Sequence, residues 1–323
     1  MEYTQLGRTG LRVSRICLGT MNFGVHTEEA DSHAIMDRAL DDGINFFDTA
    51  NIYGWGANRG RTETFIGNWF AKNLARRDRT VLATKVYAAM GDWPNEGRLS
   101  ALNIRRACEA SLRRLQTEYI DLYQFHHVDR NTPWEEIWQA CETLVTQGKV
   151  IYFGSSNFAG WHVTAAQAAA KRRDFLGLVS EQSIYNLTRR HVELEVLPAC
   201  VHHGIGVIPW SPLDGGLLGG VLRKEREGTR RYSEPAKSRI EKLRDALAGY
   251  EDLCDEIGQE PGTLALAWLL AQPAVTAPIV GPRTMEQLES AMRALDVTID
   301  PETLGRLDEL FPGYRTAPEH YAW

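Results

Sequence analysis

Residues 81–126, VLATKVYAAMGDWPNEGRLSALNIRRACEASLRRLQTEYIDLYQFH, contain the unit on which the fold turns. Val81–Val86 and Asp121–His126 are short runs with apolar neighbours on both sides instead of strict alternation, the pattern of parallel strands covered on both faces. Between them Ser100–Leu115 has helical periodicity, with Leu102, Cys108, Leu112 and Leu115 assigned to one face and Arg105, Arg106, Arg113 and Arg114 to the other. The stretch reads strand, helix, strand.

Six further runs share the strand pattern: Ile16–Thr20, Ile44–Thr49, Val150–Ser156, Leu178–Tyr185, Gly206–Ser211 and Thr276–Gly281. Helical segments separate them, and Thr132, Pro133 and Glu135 predict a capping box with proline at the first helical position. A strand and a helix recurring eight times, at intervals of roughly 30 to 40 residues, predict an α/β fold of the closed (β/α)8 barrel kind, one domain over residues 1–323. A doubly wound open sheet is the alternative, but it announces its nucleotide site by a glycine-rich turn after the first strand. Here Gly19 is followed by Thr20, Met21, Asn22, Phe23 and Gly24. Gly7, Thr9 and Gly10 between Tyr3–Leu6 and Leu11–Val13 predict an N-terminal hairpin plugging the barrel floor. Pro209 cannot donate within a central strand and is assigned to a bulge near the strand end. The connection after the seventh strand, Leu213–Gly262, is long, with a helical stretch from about Arg239, and predicts a movable flap over the active site.

The composition fits a soluble protein with one large core: 323 residues, 43% hydrophobic and 24% charged. A net charge of -6 and a pI near 5.9 argue against nucleic acid as a partner. The basic run Arg223, Lys224, Arg226, Arg230 and Arg231 is interleaved with Glu225 and Glu227 and reads as a solvated loop. Cys17, Cys108, Cys141, Cys200 and Cys254 are scattered and read as reduced thiols. The opening MEYTQLGRTG resembles no targeting segment, and no apolar window is long enough to span a membrane, so a cytoplasmic protein without a membrane partner is expected. No metal-ligand spacing of the HExxH kind occurs, and no metal is expected.

In a barrel the side chains at the C-terminal ends of the strands converge on one rim. Asp48 ends the second strand, Tyr53 follows in its loop, Lys85 ends the third and His126 the fourth. Singly each has an ordinary structural explanation: a capping carboxylate, a half-buried aromatic, a surface lysine, a satisfied histidine. Together, at consecutive strand ends, they suit proton transfer. A buried Lys85 is expected to lower the Tyr53 pKa while Asp48 keeps the lysine charged, and His126 to orient a carbonyl oxygen. Tyr53 then protonates the alkoxide left by hydride delivery. Strand alternation is expected to turn His127 away from His126.

The motifs LGRTGLRVSRICLGTMNFG, GINFFDTANIYG, TKV, DLYQFHHVD, GKVIYFGSSNF, EQSIYNL, WSPLDGGLLGG and IVGPRTMEQL occur in the order of the aldo-keto reductases, and the chain resembles that family along its whole length. The resemblance implies NADPH/NADP+ as cofactor, a small-molecule carbonyl substrate, and a catalytic tetrad of Asp48, Tyr53, Lys85 and His126. It places Ser156, Asn157 and Gln182 at the nicotinamide carboxamide, Trp210 stacked on the ring, Ser211, Pro212 and Leu213 at the pyrophosphate, and Leu217 over the cofactor. Thr20, Met21, Asp48 and Gly281 complete the implied cofactor set. Arg283 and Gln287 flank a helix start where Thr284 and Gln287 form a capping box, suited to a 2'-phosphate. Ala291 departs from relatives that carry a polar residue near the adenine end.

DTANIYGW, GNWFA, QFHHVDR, PWEEIWQA and SNFAGWHVTAAQ most resemble reductases of nucleotide-linked deoxyhexoses, the 2,3-enoyl or 3-keto branch of deoxysugar biosynthesis. Retention of His126, which family members specialised for carbon–carbon double bonds can replace by a carboxylic acid, favours carbonyl reduction. The alternatives are a general aldehyde-detoxifying reductase, or a cofactor-sensing regulatory subunit like the potassium-channel beta subunits. The C-terminal RTAPEHYAW either reaches over the rim to shape the substrate pocket or frays.

Overall fold

The computed structural model describes residues 1–228 and 233–323; Arg230 and Arg231 of the basic run lie outside the described residues. Strands β1 (Tyr3–Gln5) and β2 (Arg12–Ser14) pair antiparallel as the expected hairpin. Eight parallel strands follow: β3 (Cys17–Gly19), β4 (Phe46–Asp48), β5 (Val81–Val86), β6 (Ile120–Phe125), β7 (Val150–Ser156), β8 (Leu178–Gln182), β9 (Gly206–Val207) and β10 (Ile279–Val280). Their order in the sheet is β10-β3-β4-β5-β6-β7-β8-β9, so each new strand adds beside the last and β10 returns to β3. Between β9 and the approach to β10, Thr276 N–H donates to Val207 O and Ile279 N–H to Pro209 O, each at 2.8 Å. The sheet therefore curls into the predicted (β/α)8 barrel.

Pro209 is accommodated differently from the expectation. Ile208 and Trp210 donate to Glu181 O and Ser183 O of the neighbouring chain, so the missing N–H of Pro209 faces the other side. There three residues, 207 to 209, face four, 276 to 279, and the extra residue belongs to the partner segment.

Leu6 and Val13 of the hairpin are fully buried among Cys17, Phe46, Val81 and Leu122, residues inside the barrel. Gly7 makes the turn at φ +56°, where a Cβ would stand 2.5 Å from Gly204 O, so only glycine lets the hairpin seat. Outside the sheet, Trp69, Trp138 and Trp268 are buried between helices and strands. Burying such side chains contributes about 1.5–3 kcal/mol each, which holds the helices against the barrel.

Three helix readings need correction. The helix Ala101–Leu115 starts at its Ser100 cap, whose Oγ accepts from Asn103 N, but Leu102 is 44% exposed. It lies six residues from Cys108, about 240° around the helix, and so off the buried face. The capping box at Thr132 does not form, because Thr132 Oγ1 donates to the Asp129 carboxylate at 3.0 Å, a charged acceptor already gathering Leu99 N and Asn131 N. The helix runs Trp134–Thr146, with Pro133 as its cap residue. In the long connection after β9, Arg223, Lys224 and Arg226 lie on a helix, Val221–Arg226, rather than a loop, and the next helix, Glu234–Glu256, begins before Arg239. Glu251 explains the first of these, since its carboxylate accepts Leu222 N and Arg223 N at the helix start.

All five cysteines are buried and free. Among the described residues no helix is long and apolar enough to cross a membrane.

Candidate active site

Asp48 and Lys85 stand at the rim ends of β4 and β5, and their side chains turn into the barrel, where Asp48 is 2% exposed and Lys85 0%. Lys85 Nζ donates to Asp48 Oδ2 at 2.5 Å, to Thr49 O at 2.9 Å and to Tyr53 Oη at 3.2 Å. Tyr53 is delivered by the tight loop after β4, in which its N–H donates to Ala50 O and its carbonyl accepts from Gly60 N. The His126 ring meets that of Tyr53 edge to face, centroids 6.0 Å apart. The four predicted residues are thus brought together.

Burial pushes the Tyr53 phenol up more strongly than the Lys85 charge pulls it down, so its pKa rises above 10.0, opposite to the expected lowering. The phenol remains a proton carrier through neutral pH. Burial alone would lower Lys85, but Asp48 and Tyr53 outweigh it and hold the ammonium charged. Burial, then the charges of Lys85 and His127, depresses His126 from 6.5 to about 2. His126 is therefore neutral, and its buried Nδ1 has no hydrogen-bond partner within the protein.

His127 does not turn away. The β6 ladder ends at Phe125, so alternation no longer governs, and the two imidazoles lie parallel, 4° between planes and 5.2 Å between centroids. Tyr87 meets His127 edge-on at 5.3 Å, and Trp55 flanks Tyr53 at 5.9 Å. A series of rings therefore surrounds the phenol.

The His126 shift has a stability consequence. An unfolded chain takes up this proton near 6.5, whereas the folded chain resists it to about 2, so the unfolded state binds more protons as pH falls below 6.5 and stability declines. We predict a falling urea midpoint between about pH 7 and pH 5, with a shallower fall in His126→Gln. Equal slopes in the two proteins would show that His126 is not the titrating group.

Beside this group lie the implied carboxamide contacts. Ser156 Oγ donates to Gln182 O at 2.8 Å, and Asn157 Nδ2 donates to Ser156 Oγ at 3.0 Å and His126 O at 3.2 Å. Trp210 Nε1 donates to Asn157 Oδ1 at 3.1 Å, which fixes the indole. Asn157 sits at φ +60°, and the buried Glu181 carboxylate steadies this turn by accepting Phe158 N at 3.1 Å and Ser183 Oγ at 2.6 Å.

Ser211 at φ +54° starts the implied pyrophosphate loop, with its carbonyl held by Asn186 Nδ2 at 2.9 Å. Leu213 lies against the core, and Pro212 and Leu217 are buried, so this segment turns apolar side chains inward. Asp214 moors it, accepting from Thr188 Oγ1 at 2.7 Å and Arg239 Nε at 2.8 Å, with Arg189 Nε at 3.4 Å. Thr20 N and Oγ1 both donate to Asp48 O, and Met21 is 49% exposed at the rim. Asn22 links this loop to the segment after the neighbouring strand β10, donating to Gly281 O at 2.7 Å and accepting from Arg283 Nε at 3.3 Å.

Thr284 caps the helix Met285–Met292 as expected, accepting Gln287 N, but the return bond from Gln287 Oε1 goes to Arg283 N at 2.8 Å rather than to Thr284 N. Gln287 is therefore a support for Arg283, and Ala291 is buried. The start of the C-terminal segment is held on the loop after β8, where Tyr314 N donates to Glu193 Oε2 at 2.8 Å and Ala317 N to Leu194 O at 2.9 Å; beyond it the short helix Glu319–Ala322 is exposed.

Sequence reasoning missed Gln124, Glu181 and Asn22. Gln124 offered a signal, an amide within the otherwise apolar and aromatic run LYQF; the other two read as ordinary strand and loop residues.

The parallel barrel thus carries at its rim a lysine that bridges a carboxylate and a phenol. The chain belongs to the aldo/keto reductase family, which it matches over residues 15–311. It is 57% identical to the uncharacterized oxidoreductase YrpG of Bacillus subtilis (strain 168), over 100% of both chains. It is 33% identical to the versiconal hemiacetal acetate reductase of Aspergillus parasiticus, over 96% of each, and 33% identical to a probable voltage-gated potassium channel subunit beta of Arabidopsis thaliana, over 99% of this chain and 100% of the other.

Proposed function

We propose that this protein, as one barrel domain over residues 1–323, reduces a ketone or aldehyde to the alcohol with NADPH, Tyr53 serving as proton donor. The observation that carries this is Lys85 Nζ, which touches both Asp48 Oδ2 and Tyr53 Oη beside a neutral His126. Hydride delivery to a carbonyl develops alkoxide charge that a positioned acid must neutralise. Here the phenol supplies that proton and the ammonium stabilises the tyrosinate that remains. Neutral His126 suits donation of a ring N–H to the substrate oxygen without competing as the acid.

The residues fit a nicotinamide dinucleotide. NADPH supplies hydride when bound. Trp210, tethered through Asn157, offers a fixed ring face for orientation, and Ser156, Asn157 and Gln182 cluster beside the tetrad. Arg283 stands just before the N-terminus of the helix Met285–Met292, where its guanidinium and the positive end of the helix dipole favour the 2'-phosphate and hence NADPH over NADH.

The deciding experiment follows NADPH consumption with 4-nitrobenzaldehyde, a simple diketone, and a nucleotide-linked keto-deoxyhexose. Fast turnover of the sugar alone supports the deoxysugar likeness carried by DTANIYGW and QFHHVDR; turnover of the aldehyde alone supports a general carbonyl reductase. Tight NADPH binding with no turnover of any substrate overturns the enzyme reading and leaves a cofactor-sensing role, in keeping with the name of the Arabidopsis relative.

A further inference from the structure

Asp48 has a second oxygen that the tetrad does not use. Its Oδ1 accepts from Gln124 Nε2 at 2.9 Å and from Gln182 Nε2 at 2.8 Å. A carboxylate oxygen facing an amide admits only its N–H end, so Asp48 dictates how both glutamines point. Gln124 then turns its own Oε1 to Gln182, which donates a second N–H to it at 3.2 Å. Both hydrogens of the Gln182 amide are thereby consumed inside the protein, and only its Oε1 is left for a ligand.

Gln124 is fully buried near the C-terminal end of β6, level with Lys85 on one side and Gly154 on the other. At Gly154 a Cβ would clash with Ser180 Oγ and stand 3.2 Å from Gln124 Cγ, so the absent side chain leaves room for the serine first and for the glutamine beside it. An apolar residue at 124 would satisfy the barrel's packing; an amide there has this hydrogen-bonding task.

We propose that Gln124 is a positioning residue that fixes Gln182 as a pure acceptor, so that the site selects a nicotinamide whose carboxamide presents its NH2. The inference rests on the reading above that Gln182 meets the nicotinamide. Its chemical consequence is discrimination against a dinucleotide in which that NH2 is replaced by a methyl group, because an acceptor facing an acetyl group gains no hydrogen bond.

The test is equilibrium binding, by quenching of tryptophan fluorescence, of NADP+ and its 3-acetylpyridine analogue to wild type, Gln124→Met and Gln124→Leu. Wild type is expected to prefer NADP+ by roughly 10-fold, the scale of one net hydrogen bond. In Gln124→Met, one Gln182 N–H is released and can serve the acetyl oxygen, and the preference is expected to fall to about 3-fold or less. Loosened packing weakens both ligands alike and leaves the ratio intact, so the ratio separates positioning from structural damage. A ratio unchanged in both folded variants overturns the role of Gln124. Failure of wild type to bind either dinucleotide overturns instead the cofactor reading beneath it, and with it this inference.

Discussion

Replacing Tyr53 with phenylalanine is expected to lower turnover of a good carbonyl substrate by about 10²-fold or more while NADPH affinity stays within a few-fold. The phenol oxygen touches Lys85 Nζ at 3.2 Å, and the ring packs against His126 and Trp55, so the substitution deletes one hydroxyl and keeps the packing. The loss falls on kcat, since the proton is needed only as negative charge develops on the substrate oxygen. Burial raises the phenol's pKa, so reduction should persist into mildly alkaline solution before the donor is lost. Single-turnover kinetics and a cofactor titration make the measurement. Turnover within about threefold of wild type would remove Tyr53 as the acid.

Lys85→Met is expected to damage both activity and stability. The ammonium is fully buried and makes three hydrogen bonds, and its removal leaves Asp48 Oδ2 charged, enclosed and without its cation. Breaking a buried pair from one side costs about 3–5 kcal/mol. The folded pKa of Lys85 lies above 10.5, so the pair's contribution is fully present below that ordinary value and is lost only as pH rises through the folded one. The deficit measured by urea denaturation should therefore be constant from about pH 7 to pH 9. Adding Asp48→Asn should recover part of the stability by discharging the stranded carboxylate, yet none of the turnover. A double variant no more stable than Lys85→Met would show that the charge was never stranded.

The strands and the clustering of Asp48, Tyr53, Lys85 and His126 were legible because both follow from short-range rules. All eight apolar runs carry a strand, and Asp48, Lys85 and His126 reach one rim because each ends a strand, or just follows one, in a parallel barrel. What stayed hidden depended on partners distant in sequence. The pKa direction of Tyr53 was misread because depth of burial cannot be seen in the residue order. Thr132 was given a cap role that Asp129 pre-empts, and His127 was assigned by alternation beyond the point where the ladder stops. Gln124, Asn22 and Glu181 act through groups 58, 259 and 23 residues away, separations that no local pattern encodes.

The hairpin at the barrel floor has a consequence for the chemistry at the opposite end. Leu6 and Val13 fill the interior beneath Cys17, Phe46 and Leu122, so water does not reach the Lys85–Asp48 pair from below. Coulombic attraction grows as the surrounding medium becomes less polarizable. These two aliphatic side chains therefore act as electrical insulation: they strengthen the field that the Lys85–Asp48 pair exerts on the Tyr53 phenol.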